Sequence, residues 1–164
     1  MWYTNNNNGV TDNNRDGGSK IMKTYLFVYG TLMSGESRNY SLRWFGKYVK
    51  DAVVHGFRLY HNFEGDYPVL RRTDDVSDII VGEMWELSGD SHDQLSTLSF
   101  LDDMEGVPIL YNRMTVTLDS DTKAFVYCGN WDTWKDGLGE NDVWPSGMRW
   151  TGQTMKSHWY LKEN

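Results

Sequence analysis

One stretch of helical periodicity stands among segments that favour strands. Between Ser91 and Met104, apolar residues recur every third position, which predicts an α-helix with one apolar stripe. Ser91 is the predicted N-cap, with Gln94 as its capping-box partner, and Gly106 and Pro108 indicate where the helix stops. One long helix among strands favours the α+β class. The predicted stripe comprises Leu95, Leu98, Leu101 and Met104.

The segments around this helix carry the β-branched and aromatic residues typical of strands. Strands are predicted at 24–29, 67–70, 79–87, 111–118 and 123–128, the last two as a hairpin. Residues 47–60 are predicted to form a strand pair or one long bent strand, with a bulge or kink at Gly56. In the second half of 79–87, Met84 and Trp85 alternate with glutamates, so one face of that strand is expected to be wet. A short helix is expected at 38–45. We therefore predict a strongly bent, mostly antiparallel sheet or small barrel with a helix against it.

Composition changes at both ends of the chain. Residues 1–22 are rich in asparagine and bury too little apolar surface to offset the entropy of ordering, which predicts a flexible leader. This leader is either natural or a segment ahead of an alternative start at Met22. The domain itself is predicted at 23–130. Residues 131–164 contain five of the eight tryptophans and are predicted to be an irregular extension that packs its rings onto the domain.

The bulk composition narrows the classes of partner. A net charge of −7 disfavours nucleic acid or an anionic membrane as the main partner, because both require a basic surface. No apolar run approaches the roughly 20 residues of a membrane helix. The single cysteine, Cys128, excludes an intramolecular disulfide and a cysteine metal cluster, and its place in a predicted strand favours a buried, inert thiol. We expect a soluble cytoplasmic protein.

Two stretches offer groups for chemistry. The predicted first strand runs into a turn bounded by Gly30 and Gly35, which exposes backbone N–H groups where an anion can bind. Glu105 stands at the predicted helix end, and a lone carboxylate serves as general base and then general acid if its pKa is raised. Burial and the negative end of the helix dipole both raise it. From the residues alone, an ordinary capping or surface glutamate remains the favoured interpretation.

Other site types lack their motifs. The four histidines show no metal-ligand spacing, and neighbouring helix-end acids such as Asp102 and Asp103 point in different directions. Cys128 has no neighbouring histidine to activate it, and no Gly-x-Ser-x-Gly motif is present. The turn lacks the Lys-Ser/Thr ending of a phosphate loop. We expect neither a metal nor a cofactor.

Four motifs then carry a family resemblance. In order and spacing they resemble the gamma-glutamyl cyclotransferase-like superfamily, most of all its gamma-glutamylamine cyclotransferase branch. The resemblance covers about residues 23 to 130, with a weaker echo at 147–150, and implies a small β-barrel with one long and one or two short helices packed outside. The motifs are Tyr29-Gly30-Thr31-Leu32 with Gly35, Gly82-Glu83-Met84-Trp85-Glu86-Leu87, Leu101-Asp102-x-x-Glu105-Gly106 and Tyr111-x-Arg113.

The resemblance also implies a reaction. The Tyr29–Leu32 turn, which includes Gly30 and Thr31, would bind the α-carboxylate of a γ-glutamyl substrate through backbone N–H groups, with Glu105 as the acid/base. The substrate's α-amine would attack its own γ-carbonyl, releasing 5-oxoproline and a free amine without a cofactor. Tyr111 and Arg113 are expected to bind substrate, or alternatively to be a packing tyrosine and a sheet-edge arginine.

Departures from the family pattern keep other functions open. Ser34 stands where many relatives carry a basic residue, and the leader and tryptophan-rich end are atypical. One alternative is a catalytically silent binding module that uses the same pocket for a carboxylate ligand or a partner protein, with the tryptophan-rich region as contact surface. Another is a ring-closing or ring-opening step on a different acyl amine.

Overall fold

The computed structural model describes residues 23–62 and 67–152. The predicted leader and the end of the tryptophan-rich region, including Trp159, lie outside the described residues. Within them, the chain forms seven strands, three α-helices and one 3₁₀ turn. These are β1 (Tyr25–Val28), α1 (Asn39–Phe45), β2 (Gly46–His55), β3 (Phe57–Asn62), β4 (Tyr67–Arg72), β5 (Ile79–Leu87), α2 (Ser91–Met104), β6 (Tyr111–Thr117), β7 (Lys123–Gly129), α3 (Trp131–Trp134) and the 3₁₀ turn Glu140–Asp142.

The strands form two sheets that together resemble a barrel. Five strands pair in the order β2-β5-β1-β7-β6, and β3 pairs with β4 in a separate hairpin. All pairings are antiparallel except that of β1 with β7. The α+β prediction and the mostly antiparallel sheet are therefore confirmed. The sheet is not closed, however, because β4 lies against β7 and β3 against β5 without forming a continuous ladder.

Strand β1 lies in the middle of the larger sheet and is almost fully buried. Leu26, Phe27 and Val28 are each at most 3% exposed, as expected for a strand paired on both edges and covered on both faces. This accounts for its continuous apolar sequence, which lacks alternation. The chain leaves the core at Gly30, so the turn that follows begins inside the protein.

The region 47–60 is a strand pair rather than one bent strand. Gly56 separates β2 from β3 with a φ of +85°, a left-handed conformation that strongly favours glycine. Its N–H donates to the carbonyl of Asp78 at 2.9 Å, and its own carbonyl accepts from Thr73 at 2.8 Å. The break sends β2 and β3 into different sheets.

Helix α2 has the predicted bounds but a different cap and a different buried face. Asp90, not Ser91, is the N-cap, and Asp90 and Asp93 form a reciprocal capping box. Leu95 is 66% exposed, although it belongs to the predicted stripe. Successive steps of three residues fall about 60° short of a full turn, so Leu95 and Met104 lie on opposite sides of the helix. The buried face comprises Gln94, Thr97, Leu98 and Leu101.

The described part of the tryptophan-rich region packs against the strands. Trp144 and Trp150 are 4% and 1% exposed, and the backbone N–H of Trp144 donates to the carbonyl of Leu59 at 2.8 Å. Trp131 packs against Tyr60 with ring centroids 4.9 Å apart. These contacts tie the region from α3 onward to β3 and β4.

None of the helices among residues 23–62 and 67–152 is long and apolar enough to cross a membrane.

Cys128 is buried, as predicted. Burial raises the pKa of its thiol, and its sulfur donates to the Leu70 carbonyl at 3.2 Å.

Gly82→Ala tests how tightly β5 packs on β1. An added Cβ would lie 2.2 Å from the carbonyl oxygen of Val28 and 2.8 Å from the ring of Phe27, so the central strands would have to separate. We expect the free energy of unfolding in urea to fall by about 2–4 kcal/mol. Gly139→Ala is the control, because nothing lies within 4 Å of a Cβ there. Equal stability of the two variants would contradict this packing.

Candidate active site

One cavity brings together most of the predicted site residues. It has a volume of about 110 Å³ and lies where β1 and α2 end. Its walls include the whole Tyr29–Leu32 turn, Glu105 and Tyr111. Arg113 is the one predicted site residue that does not line it. The turn and the glutamate, far apart in the sequence, therefore face the same space.

The turn after β1 is closed by two backbone hydrogen bonds. The N–H of Met33 donates to the Gly30 carbonyl at 3.0 Å, and the N–H of Arg38 donates to the Thr31 carbonyl at 2.8 Å. The N–H groups of Thr31 and Leu32 donate to no backbone carbonyl within the described residues. Two donors at the wall of a cavity are available to an anionic group.

Gly30 is required by a close contact with β4. An added Cβ would lie 2.4 Å from Cγ of Pro68, a distance that side-chain atoms do not adopt. The Pro68 carbonyl also accepts a hydrogen bond from the hydroxyl of Tyr111 at 3.0 Å. Pro68 therefore holds the turn and β6 together at the wall of the cavity.

Glu105 caps the C-terminal end of α2. Its N–H still donates to the Leu101 carbonyl at 2.9 Å, and Gly106 ends the helix with a φ of +65°. The glutamate is 9% exposed. Its carboxylate lies at the negative end of the helix dipole, where a negative charge is disfavoured.

Burial raises the pKa of the Glu105 carboxyl, and the guanidinium of Arg38 opposes that rise. Nη1 of Arg38 lies 3.8 Å from Oε1 of Glu105, and the arginine side chain is 42% exposed. Desolvation disfavours the charged form of a carboxylic acid, and a half-exposed cation compensates only partly. A raised pKa makes the carboxylate a stronger base than an ordinary glutamate, which is the property a proton acceptor needs.

Three of the four tyrosines that line the cavity, Tyr29, Tyr111 and Tyr127, donate their hydroxyl hydrogen to an acceptor within the protein. The hydroxyl of Tyr29 donates to the Tyr127 carbonyl at 2.5 Å, and Tyr111 donates to Pro68 as described above. Burial raises the pKa of both Tyr29 and Tyr111; the next largest cause is Tyr111 for Tyr29 and the charge of Glu105 for Tyr111. These phenols stay protonated at neutral pH, so neither of them adds a negative charge to the cavity.

Arg113 does not line the cavity but contacts Asp102, which supports the cavity wall. Its Nε lies 3.3 Å from Oδ1 of Asp102, and its guanidinium lies over the ring of Phe125 at 4.9 Å. The same Asp102 oxygen accepts a hydrogen bond from the hydroxyl of Tyr127 at 2.8 Å. Since Tyr127 lines the cavity, Arg113 supports the wall through Asp102. The structure does not bring it together with the other predicted binding residues.

A second buried glutamate holds the far end of the turn. Glu83 on β5 is 2% exposed, so the expected wet face of this strand is wrong at this position. It accepts from the N–H of Ser34 at 2.7 Å and from Nη2 of Arg149 at 2.7 Å. Burial disfavours its charge, yet these bonds and one from Trp85 outweigh burial and lower its pKa. An ionised carboxylate therefore fastens the turn to β5 and to the C-terminal region.

Sequence patterns did not reveal three of these residues as parts of the site. The side-chain amide of Asn39 is buried and donates to the Leu32 carbonyl at 2.8 Å. Arg38 and Asn39 follow the turn directly, but nothing in their spacing indicates which way their side chains point. Arg149 stands within the weaker C-terminal motif, which was the available signal for it.

One group of possible metal ligands occurs in the described part of the chain. Asp90, His92 and Asp93 offer ligand atoms within 4.8 Å of one another. The two aspartates already form the capping box of α2, and none of the three lines the cavity. This cluster is accounted for by helix capping.

Comparison with known proteins identifies a family for the chain. A family model described as gamma-glutamyl cyclotransferase, AIG2-like, matches residues 26–148, past residue 130, where the sequence predicted the domain to end. No curated protein sequence matches the chain.

Several solved structures share the fold at low identity. An AIG2-like protein from Mus musculus is 24% identical, with a TM-score of 0.60 over 79% of this chain and 88% of that one. A gamma-glutamyl cyclotransferase is 18% identical, with a TM-score of 0.50 over 66% and 68%. A Kluyveromyces lactis allophanate hydrolase variant is 20% identical, with a TM-score of 0.58 over 76% of this chain but 20% of that one.

Glu105→Gln tests the cost of burying this carboxylate. Because the folded-state pKa is raised, the folded protein binds more protons than the unfolded chain above about pH 4, and stability falls as the pH rises. The groups facing Glu105 are Arg38 and the three tyrosines. We expect the neutral variant to unfold at higher urea concentration than wild type at pH 7, and this gain to vanish below about pH 4. Exposed Asp103→Asn should give no such gain, and a loss of stability at pH 7 in Glu105→Gln would contradict the buried charge.

Arg149→Met tests the ion pair with Glu83. It leaves a buried carboxylate without its cation, and we expect a loss of about 1–3 kcal/mol at pH 7, less than for a fully buried pair because the arginine is partly exposed. Since the wild-type pKa of Glu83 is lowered, its contribution is present at neutral pH and lost on acidification. Urea unfolding at pH 7 and pH 4 measures both. Arg72→Met, which removes an exposed pair with Asp74, should change stability little; an equal effect of both variants would exclude a special role for the pair.

Proposed function

The chain belongs to the gamma-glutamyl cyclotransferase, AIG2-like family, and on that premise we propose that it is a cyclotransferase for γ-glutamyl amines or amides. It would release 5-oxoproline and a free amine. The observation that carries the proposal is that Glu105, a buried carboxyl with a raised pKa, faces the same cavity as the Tyr29–Leu32 turn. The turn offers donors for a carboxylate, and the glutamate offers a proton acceptor.

Substrate binding in this proposal uses the two ends of the cavity differently. The α-carboxylate of the glutamyl group accepts hydrogen bonds from the N–H groups of Thr31 and Leu32. The α-nitrogen and γ-carbonyl of the substrate then lie towards Glu105, where Tyr111 and other buried aromatic side chains form the wall of the cavity. Holding the glutamyl side chain of the substrate in a folded conformation brings the amine to its own γ-carbonyl. Such an intramolecular approach removes a large part of the entropic barrier to the reaction.

The proton steps need one carboxylate. Glu105 takes a proton from the α-ammonium, and the freed amine attacks the γ-carbonyl carbon to form the ring C–N bond. Glu105 returns the proton to the leaving nitrogen, and the original amide C–N bond breaks. Glu105 then takes the second proton from the ring nitrogen and passes it to the released amine, so the α-ammonium has lost two protons on becoming the ring N–H and the leaving nitrogen has gained two on departing as an ammonium. The carboxylate is regenerated.

Other expectations stay predictions. The location in the cytoplasm rests on the single cysteine and on composition. A partner protein at the tryptophan-rich region is also untested; the described tryptophans there are buried or half-buried. Among site residues, Arg113 is proposed to act by positioning Tyr127 through Asp102.

An activity assay tests the function directly. Wild-type protein is incubated with a panel of γ-glutamyl amines and amides, including γ-glutamyl-ε-lysine, and 5-oxoproline is measured by mass spectrometry. We expect turnover of at least one compound, and a loss in kcat of about 10²–10⁴ in Glu105→Gln because the acid/base group is removed. Asp103→Asn, an exposed carboxyl two positions away, should retain activity.

Two outcomes would reject the proposal. One is that no member of the panel yields 5-oxoproline. The other is that Glu105→Gln turns over as fast as wild type. If compounds bind without turnover, the silent binding module is the better description.

A further inference from the structure

Among the described residues that line the cavity, Arg38 is the single cationic side chain and Glu105 the single anionic one. The backbone N–H of Arg38 donates to the Thr31 carbonyl at 2.8 Å, so the arginine is anchored to the turn itself. Its guanidinium reaches back to within 3.8 Å of the Glu105 carboxylate. The catalytic carboxyl and the arginine therefore form a charge pair within the proposed site.

The difference in exposure places Arg38 at the mouth of the cavity. Its side chain is 42% exposed, whereas that of Glu105 is 10% exposed. The cavity of about 110 Å³ has room for roughly seven to eleven water-sized groups, since one water occupies about 10–15 Å³ by this measure. That is the size of a glutamyl group, so a leaving amine would extend towards the mouth.

The position of the leaving amine follows from the proton transfer. Glu105 must come within hydrogen-bond distance of the leaving nitrogen to protonate it. A substituent on the first carbon beyond this nitrogen then lies within a few ångströms of the carboxylate. The guanidinium of Arg38 occupies that same zone.

We propose that Arg38 is a specificity-determining residue that selects γ-glutamyl substrates whose leaving amine carries an anionic group close to its nitrogen. This inference rests on the proposed function and names the class of its leaving group. A carboxylate on the first carbon can accept charge-assisted hydrogen bonds from the guanidinium. An ammonium at the same distance meets a like charge and is disfavoured.

The selection also affects Glu105. In the free protein, Arg38 lowers the pKa that burial raises. An anion bound to the guanidinium offsets the positive charge of Arg38. Glu105 is then a stronger base towards the α-ammonium of the substrate. Apart from Arg38 and Glu105, the described residues that line the cavity carry no charged side chain.

The size of the preference is limited by solvent. A half-exposed arginine is partly screened, and ion pairs of this kind contribute modestly. We expect kcat/KM to be about tenfold higher for an anionic leaving group than for its neutral isostere. A cationic leaving group of similar size should be slower than the neutral one.

The test uses three compounds that differ in one group: γ-glutamylglycine (anionic), γ-glutamylglycinamide (neutral) and γ-glutamylethylenediamine (cationic). They are compared in wild type, Arg38→Gln and Arg38→Glu. We expect wild type to prefer the anionic compound, Arg38→Gln to lose the preference, and Arg38→Glu to reverse it towards the cationic compound. Arg43→Gln is the matched control, because Arg43 lies exposed on α1 outside the cavity and should leave the preference unchanged.

A binding measurement separates this inference from the proposed function. Dissociation constants of the three compounds are measured by calorimetry with Glu105→Gln alone and combined with Arg38→Gln. If wild type turns over none of the compounds of the wider panel, the cyclotransferase proposal fails, while the order of binding still tests Arg38. An unchanged charge preference on substitution of Arg38, in turnover or in binding, overturns the inference. Failure of all three compounds to bind also overturns it.

Discussion

The burial of β1 between β5 and β7 is the constraint on which the site depends. A strand paired on both edges satisfies its backbone polar groups within the sheet, so Leu26, Phe27 and Val28 can all be apolar and lie at 0–3% exposure. It therefore delivers the chain into the interior rather than to the surface. At Gly30 the contact with Pro68 leaves no space for a side chain, and the turn that follows lines a cavity.

The pKa values of the two buried glutamates, Glu83 and Glu105, are shifted in opposite directions because their partners differ. Glu83 receives hydrogen bonds from Ser34 and Arg149, which stabilise its charge in spite of burial. Glu105 has only a partly exposed arginine at 3.8 Å, so desolvation prevails and its pKa rises. The first carboxylate supports the turn as a structural anion. The second keeps a proton affinity suited to acid/base chemistry, at a cost in stability typical of functional groups.

The fold alone leaves the chemistry open, since a likeness to solved structures at low identity shows the architecture and not the reaction. Function therefore has to be argued from the residues of the cavity. Here the argument rests on a turn with backbone N–H groups at the cavity wall, a buried carboxyl and a partly exposed arginine. The arginine is the element most directly tied to the identity of the leaving amine.

By itself the sequence determined the α+β class, the bounds of α2, and the pairing of the Tyr29–Leu32 turn with Glu105 as a candidate site. Those features depend on local periodicity, glycine positions and motifs, which are readable along the chain. It misassigned the cap and the buried face of α2, because a three-residue spacing drifts around a helix. Only the tertiary structure decided that Arg38 faces the cavity and Arg113 does not, and that Glu83 is buried. Side-chain direction and burial depend on which distant segments pack together, and local sequence does not encode that.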